Sequence, residues 1–200
     1  MTTTIGIFLF DEVEVLDFAG PFEVFCTASR VKHKLAPEQP PLFEVFTVAE
    51  EPRLVRARGG LAVSPGFNFS NHPSIEVLVV PGGVVTEELA KPAVSNWIKQ
   101  VAAGGQLTAS VCTGAFLLAQ AGVLVDQTVT THWEDIDDLR RVFPNLTVKE
   151  NIRWVDDGNF VTSAGISAGI DMSLHLVARL AGEELARKTA RQMEYDWNMG

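Results

Sequence analysis

Two residues in this chain combine reactive side chains with settings that could use them, Cys112 and Asp17. The stretch from Leu107 to Gln120, Leu-Thr-Ala-Ser-Val-Cys-Thr-Gly-Ala-Phe-Leu-Leu-Ala-Gln, reads as a short buried strand over 107–111 that breaks at Cys112. It then runs into an apolar helix opened by Thr113 and Gly114. A residue at such a strand-to-helix joint is held at the carboxyl edge of a sheet with its side chain presented, the geometry of a nucleophile elbow. A thiol placed there meets the unpaired N–H groups of the helix start, which favour thiolate and lower a pKa of about 8.5 to between about 3.5 and 7.5. The alternative is a small core residue, since free cysteines are commonly buried.

Asp17 lies among Val15, Leu16, Phe18 and Ala19, an unusual setting for a carboxylate. A cap on a helix beginning near Pro21 would account for it. A third feature is Pro81-Gly82-Gly83, directly after the apolar run Val77 to Val80. Two glycines at a strand end let the backbone bend tightly and offer N–H groups to a ligand, although an ordinary Pro-Gly turn reads the same way.

The elements that must hold these residues follow from hydrophobic patterning. A chain of 200 residues with 46% hydrophobic content can bury one sizeable core, and no composition shift marks a linker, so one domain over 1–200 is expected. Sixteen basic against 25 acidic residues leave a formal charge of -9 with no basic run, which argues against a nucleic-acid partner. No leader-like segment and no apolar stretch of about 18 residues is visible, so no membrane span and a cytoplasmic location are expected. Cys26 and Cys112 stand far apart, and the four histidines are scattered, so neither a disulfide framework nor a metal site is expected.

In chain order, Thr4 to Phe10 reads as the first strand, and a helix is expected from Gly20 and Pro21 with Phe22, Phe25, Cys26 and Ser29 facing inward. Lys32 to Pro41 reads as a loop and Phe43 to Ala49 as a strand; Leu54 to Ala57 and Leu61 to Ser64 read as a small hairpin. Pro92 to Gly104 is a helix with Val94, Trp97, Ile98 and Val101 on one face. Gln127 to Trp133 reads as extended, and Glu134 to Phe143 as a charged surface helix whose acids form a solvated face. Short strands are expected at 146–149, 153–156 and 160–163. A helix with Ile166, Ile170, Leu174 and Val177 inward follows, then another over 183–193. This alternation implies a mostly parallel sheet with helices on both sides, a three-layer α/β sandwich. Ligands bind such sheets at the carboxyl ends of strands, where Asp17, Gly83, Cys112 and Gly165 would converge.

Across nearly all 200 residues the chain resembles the ThiJ/PfpI superfamily, whose flavodoxin-like fold is shared with class I glutamine amidotransferases. The resemblance is carried, in order, by Leu16-Asp17-Phe18-Ala19-Gly20-Pro21, Pro81-Gly82-Gly83, Ser110-Val111-Cys112-Thr113-Gly114, Thr130-Thr131-His132-Trp133 and Ala164-Gly165-Ile166-Ser167-Ala168-Gly169-Ile170-Asp171. Within the superfamily it is most similar to isocyanide (isonitrile) hydratases and to ligand-sensing domains of bacterial transcription regulators. Family peptidases place a histidine directly after the cysteine, where this chain has Thr113; amidotransferases supply a histidine and a glutamate after the last strand, and Ser163 to Ser167 contains neither. Peptide or amide hydrolysis therefore lacks its usual base.

The hydratase resemblance implies that Asp17 hydrogen-bonds the Cys112 thiolate and, being buried beside negative charge, keeps its proton at neutral pH. It implies attack by Cys112 on the isocyanide carbon, protonation by Asp17, a thioimidate, and release of an N-substituted formamide after water adds. Gly82, Gly83 and the Thr113 N–H would stabilise negative charge; the Thr113 hydroxyl, Gly165 and Ile166 would position water and substrate. His132 would be structural, with a ring nitrogen bonding backbone near the pocket. The reaction needs no cofactor. The resemblance further implies a homodimer acting on a small-molecule substrate. Two rivals remain. One is a ligand or redox sensor, although only Tyr195, Asp196, Trp197 and Asn198 separate the last expected helix from the final two residues and leave no DNA-reading segment. The other is hydration of reactive carbonyls, which usually involves a glutamate and a histidine near the cysteine.

Overall fold

The computed structural model describes residues 1–199. The elements in order are β1 (Thr3–Leu9), α1 (Val15–Leu35), β2 (Phe43–Ala49), β3 (Val55–Arg56), β4 (Ala62–Val63), β5 (Phe67–Asn68), β6 (Val77–Val80), α2 (Thr86–Leu89), α3 (Pro92–Gly104), β7 (Leu107–Val111) and α4 (Gly114–Gln120). There follow β8 (Thr128–Val129), α5 (Ile136–Val142), β9 (Thr147–Val148), β10 (Trp154–Asp157), β11 (Phe160–Ser163), α6 (Ala168–Ala181) and α7 (Glu183–Gln192).

Seven strands form the central sheet in the order β10-β11-β7-β6-β1-β2-β5. All its pairs are parallel except β10 with β11. The parallel centre explains its composition. Strands covered on both faces cannot alternate polar and apolar residues, and Val77, Leu78, Val79 and Val80 are all buried, as are Leu107 to Val111. Helices cover the two faces in two groups, α1 packing with α6 and α7, and α2 with α3 and α4. The sheet is thus the expected mostly parallel one flanked by helices. Because β2 follows β1 on one side while β6 adds on the other, the strand order switches direction at β1, and a crevice opens at the carboxyl ends there.

Several local expectations are corrected. Helix α1 begins at Val15, not at Gly20, and carries Pro21 in its second turn. A residue before proline normally avoids the helical region because its Cβ crowds the ring; Gly20 has no Cβ, so the helix passes through. Ile170 of α6 takes that vacant space, 3.0 Å from where a Cβ would stand. The buried face of α1 runs through Val24, Phe25, Ala28 and Val31, and Cys26, on its margin, is half-buried instead of in the core. The same helix continues through Lys32 to Leu35, so the loop begins only at Ala36. Ile166 stands outside α6 with its side chain exposed, and the inward stripe of that helix starts later. The edge strand β5 and the short helix α2 carry no periodic signal of their own and were not anticipated; each is too short to show a period. Among the described residues no helix is long and apolar enough to cross a membrane.

The strand-to-helix joint after β7 depends on close backbone packing. A Cβ on Gly114 would lie 2.1 Å from the Val80 carbonyl oxygen, a contact that only backbone movement relieves. Gly114→Ala is expected to lower stability by about 1–3 kcal/mol, seen as a lower urea midpoint. An unchanged midpoint would mean that β6 and the start of α4 are not locked together.

Candidate active site

Four adjacent strands, β1, β6, β7 and β11, deliver the site residues from their carboxyl ends. After β7 the backbone turns at Cys112, which adopts φ 57°, while its N–H donates to the Ser163 carbonyl (3.1 Å) and its carbonyl accepts from the Thr131 hydroxyl (2.8 Å). A non-glycine residue in this region costs on the order of 1–3 kcal/mol and persists only when its surroundings hold it there. These bonds from β11 and from the segment before His132 supply that restraint. Thr131 had no role assigned from sequence, although the Thr130-Thr131-His132 run marked the segment.

Asp17 sits in the first turn of α1 and is completely buried. Its two oxygens accept backbone N–H groups from different loops, Gly82 (3.1 Å, to Oδ2) and Ile166 (3.1 Å, to Oδ1). The Cys112 side chain lies close enough to influence the carboxyl. The capping role considered for Asp17 is therefore replaced: the carboxyl clamps two strand ends around the thiol instead of closing its own helix. Ile166 reaches it by adopting φ 55°, a rare conformation for a β-branched residue.

The Pro81-Gly82-Gly83 turn does not leave its N–H groups open for an anion. The Gly82 N–H holds Asp17, and the Gly83 N–H donates to Thr113 Oγ1 (2.9 Å), whose hydroxyl lies 2.9 Å from the Gly83 carbonyl that accepts from it. Glycine is required here for space: a Cβ on Gly82 would lie 2.5 Å from the Thr113 nitrogen, and one on Gly83 2.3 Å from the Glu12 carbonyl oxygen. The expected charge-stabilising role of Gly82 and Gly83 gives way to positioning Asp17 and Thr113. His132 packs its ring against Gly165, where a Cβ would stand 2.2 Å from Cδ2, and its Nδ1 accepts from the Glu134 N–H at 3.4 Å. Asp135, near enough to raise the Cys112 thiol, also borders the site.

Charge is finely opposed in this arrangement. Burial pushes the Asp17 carboxyl up to about 7, with Glu14 adding to the rise and the N–H groups of Gly82 and Ile166 and the thiol resisting it. Burial first, and the Asp17 charge second, push the Cys112 thiol up to about 12 against hydrogen bonds from Thr113. These surroundings oppose the expected resting thiolate. Cys112 is only 8% exposed, and α4 is a seven-residue helix whose start does not offset that desolvation beside a carboxylate. The two groups titrate as a pair, each raised by burial.

A buried cysteine with positive φ at a strand-to-helix elbow, on a mostly parallel sheet and close to a buried acid from the first helix, defines the class as an α/β protein with a cysteine elbow. The DJ-1/PfpI family model matches residues 3–179, and the chain belongs to this family. It is 33% identical to the isonitrile hydratase of Pseudomonas putida over 196 residues, covering 98% of this chain and 79% of that protein. It is 28% identical over 193 residues to the HTH-type transcriptional regulator GbdR of Pseudomonas aeruginosa, covering 96% of this chain but 51% of the regulator, so it spans about half of that protein's length. A crystal structure of a ThiJ/PfpI family protein from Pseudomonas syringae superposes with a TM-score of 0.86 at 26% identity, covering 99% of this chain and 77% of that one.

Labelling of Cys112 by iodoacetamide, read peptide by peptide to separate Cys26, is expected to keep rising past about pH 9. Asp17→Asn removes the neighbouring charge and is expected to label severalfold faster at that pH. A wild-type rate that levels off near pH 7 would show a resting thiolate instead.

Proposed function

We propose that this chain is a cysteine-dependent hydro-lyase that converts isocyanides into N-substituted formamides, with Cys112 as nucleophile and Asp17 as the proton carrier. The observation that carries the reading is the fully buried Asp17 carboxyl close to Cys112, with Thr113 next in sequence. Similarity to an isonitrile hydratase over almost the whole chain supports the choice of substrate class.

The active form holds one proton between the two groups. As Sγ attacks the terminal carbon of the isocyanide, the Asp17 carboxylate takes the thiol proton and returns it to that carbon, giving a thioimidate. Water then adds to the same carbon while Asp17 takes one of its protons and passes it to nitrogen. Asp17 removes the remaining hydroxyl proton as the carbonyl forms, the C–S bond breaks, and the departing sulfur recovers that proton. The formamide leaves and both groups are restored. The Thr113 N–H, directed at sulfur, stabilises negative charge there. Thr113 has one hydroxyl hydrogen, which serves either the Gly83 carbonyl or Sγ, so this side chain follows the charge on sulfur. Gly165 and Ile166 hold Asp17 at the pocket wall, and His132 acts as a positioning residue behind them.

Leu16, Val84, Trp133 and Ile166 are exposed apolar side chains at or next to site residues in sequence. They suit an apolar N-substituent, and they support a homodimer that covers them. A second reading, ligand sensing through the same pocket, is favoured by the similarity to transcription regulators. Oxidative sensing is disfavoured by the raised thiol.

With an aryl isocyanide as substrate and formamide formation as readout, wild-type protein is expected to turn over, and Cys112→Ala and Asp17→Asn to lose at least about 100-fold in kcat/KM. Protonating Asp17 removes the acceptor for the thiol proton, so kcat/KM is expected to fall below about pH 7 and to level off above it. Equal rates for all three proteins would remove the pair from the chemistry, and silence of the wild type on several isocyanides would favour sensing. In sedimentation, a dimer is expected at micromolar concentration, and Trp133→Glu with Ile166→Glu is expected to shift it to monomer.

A further inference from the structure

The Ile166 N–H that holds Asp17 comes from a turn that the Ile166 side chain does little to anchor. Ile166 has φ 55°, and it is 41% exposed. A β-branched residue stays in that region only where its neighbours fix it. Arg153, the residue before β10, grips the turn at both ends. Its carbonyl accepts the Ala164 N–H (2.9 Å), which extends the β10–β11 ladder by one bond, and its guanidinium Nη2 donates to Ser167 Oγ (3.3 Å). Only Gly165 and Ile166 lie between those two points.

The guanidinium is itself fixed in direction. Its Nε (2.7 Å) and its Nη2 both donate to Oδ2 of Asp171, a completely buried residue in the first turn of α6. Nη2 carries two hydrogens, so one serves Asp171 and the other Ser167. The second oxygen of Asp171 accepts the Asn198 N–H (2.9 Å), and its backbone carbonyl accepts the Trp197 indole N–H (3.1 Å). A planar guanidinium seated on an acid that is held from two sides points its remaining donors in a set direction, which a flexible ammonium does not.

We propose that Arg153, oriented by Asp171, is a positioning residue that holds Ala164 to Ser167 in the conformation delivering the Ile166 N–H to Asp17 Oδ1. Its meaning for catalysis rests on the hydratase reading, in which Asp17 carries the proton; the grip on the turn does not. The consequence is electrostatic. Burial and Glu14 of the same helix raise the Asp17 carboxyl to about 7, while the N–H groups of Gly82 and Ile166 and the nearby Cys112 oppose the rise. Loosening the turn withdraws one of those opposing groups, so the carboxyl moves further up.

The test reads the intact protein by NMR, through hydrogen exchange of the Ile166 amide and titration of the Asp17 carboxyl carbon, and needs no substrate. Silence of the wild type on isocyanides would therefore leave it standing. Arg153→Lys keeps the positive charge beside Asp171 but loses the fork. In it the Ile166 amide is expected to exchange at least about tenfold faster, the Gly82 amide to keep its wild-type rate, and the Asp17 midpoint to rise by about half a pH unit. Arg153→Met is expected to move both readouts further. Arg179→Met, which breaks the pair with Asp156 (2.9 Å) at the far end of α6, is expected to move neither. Unchanged readouts in the Arg153 variants overturn the proposal. So does equal acceleration at Gly82 and Ile166, which marks general loosening, and so does a shift in Arg153→Met with none in Arg153→Lys, which marks charge alone. Should neither Arg153 variant fold, Ser167→Ala removes the side-chain hold on the turn by itself, and wild-type exchange at Ile166 in that variant overturns it equally.

Discussion

The interaction on which the site depends is a carboxyl group taken completely out of water and held between two backbone N–H groups and a thiol. Each bond of Asp17 joins α1 to a different part of the sheet edge, Gly82 after β6 and Ile166 after β11, while Cys112 after β7 lies close by. A buried carboxyl without such partners would be expelled or neutralised. With them it becomes the point where three loops are fastened, and its proton affinity rises toward neutrality. The feature that organises the pocket is therefore also the one that prepares it for proton transfer.

The backbone is bent to make this possible. Glu12, Cys112 and Ile166 all have positive φ without being glycine, and each follows a strand that ends at this edge. Glycine is reserved for positions where a side chain would collide: Gly82 against Thr113, Gly114 against Val80, Gly165 against His132. Positive φ at these residues and close backbone contact at their neighbours are complementary solutions to one problem, bringing the ends of four strands together at one edge of the sheet.

The opposition of the two pKa values bears on how such a pair works. A thiol pushed up to about 12 is unreactive by itself, and a carboxyl at about 7 is a good base at neutral pH. Counting protons, the state with thiol and carboxylate is the same as the state with thiolate and carboxylic acid. Only the position of one hydrogen differs. In the proposed reaction, attack by sulfur is coupled to a short proton transfer.

Much of this was legible in the chain itself. The continuous apolar runs at 5–10, 77–80 and 107–111 announce strands buried on both faces, and the break at Cys112 followed by Thr113 and Gly114 announces the elbow, because these are local consequences of side-chain pattern and glycine placement. The carboxylate in an apolar run marked Asp17. Less legible were the start of α1, where Gly20 lets a helix continue into Pro21, and the conformation of Ile166, which nothing in Ile-Ser-Ala predicts. The pairing of Arg153 with Asp171 joins two separate elements and leaves no local pattern to read. By itself, the sequence determined which segments are strands and helices, where the thiol stands, and which acid is unusual, since all of these depend on neighbours along the chain. Only the tertiary structure decided how deeply the acid and the thiol are buried and which N–H groups are engaged, because desolvation and hydrogen-bond partners arise from residues as far apart as Asp17 and Ile166 meeting in space.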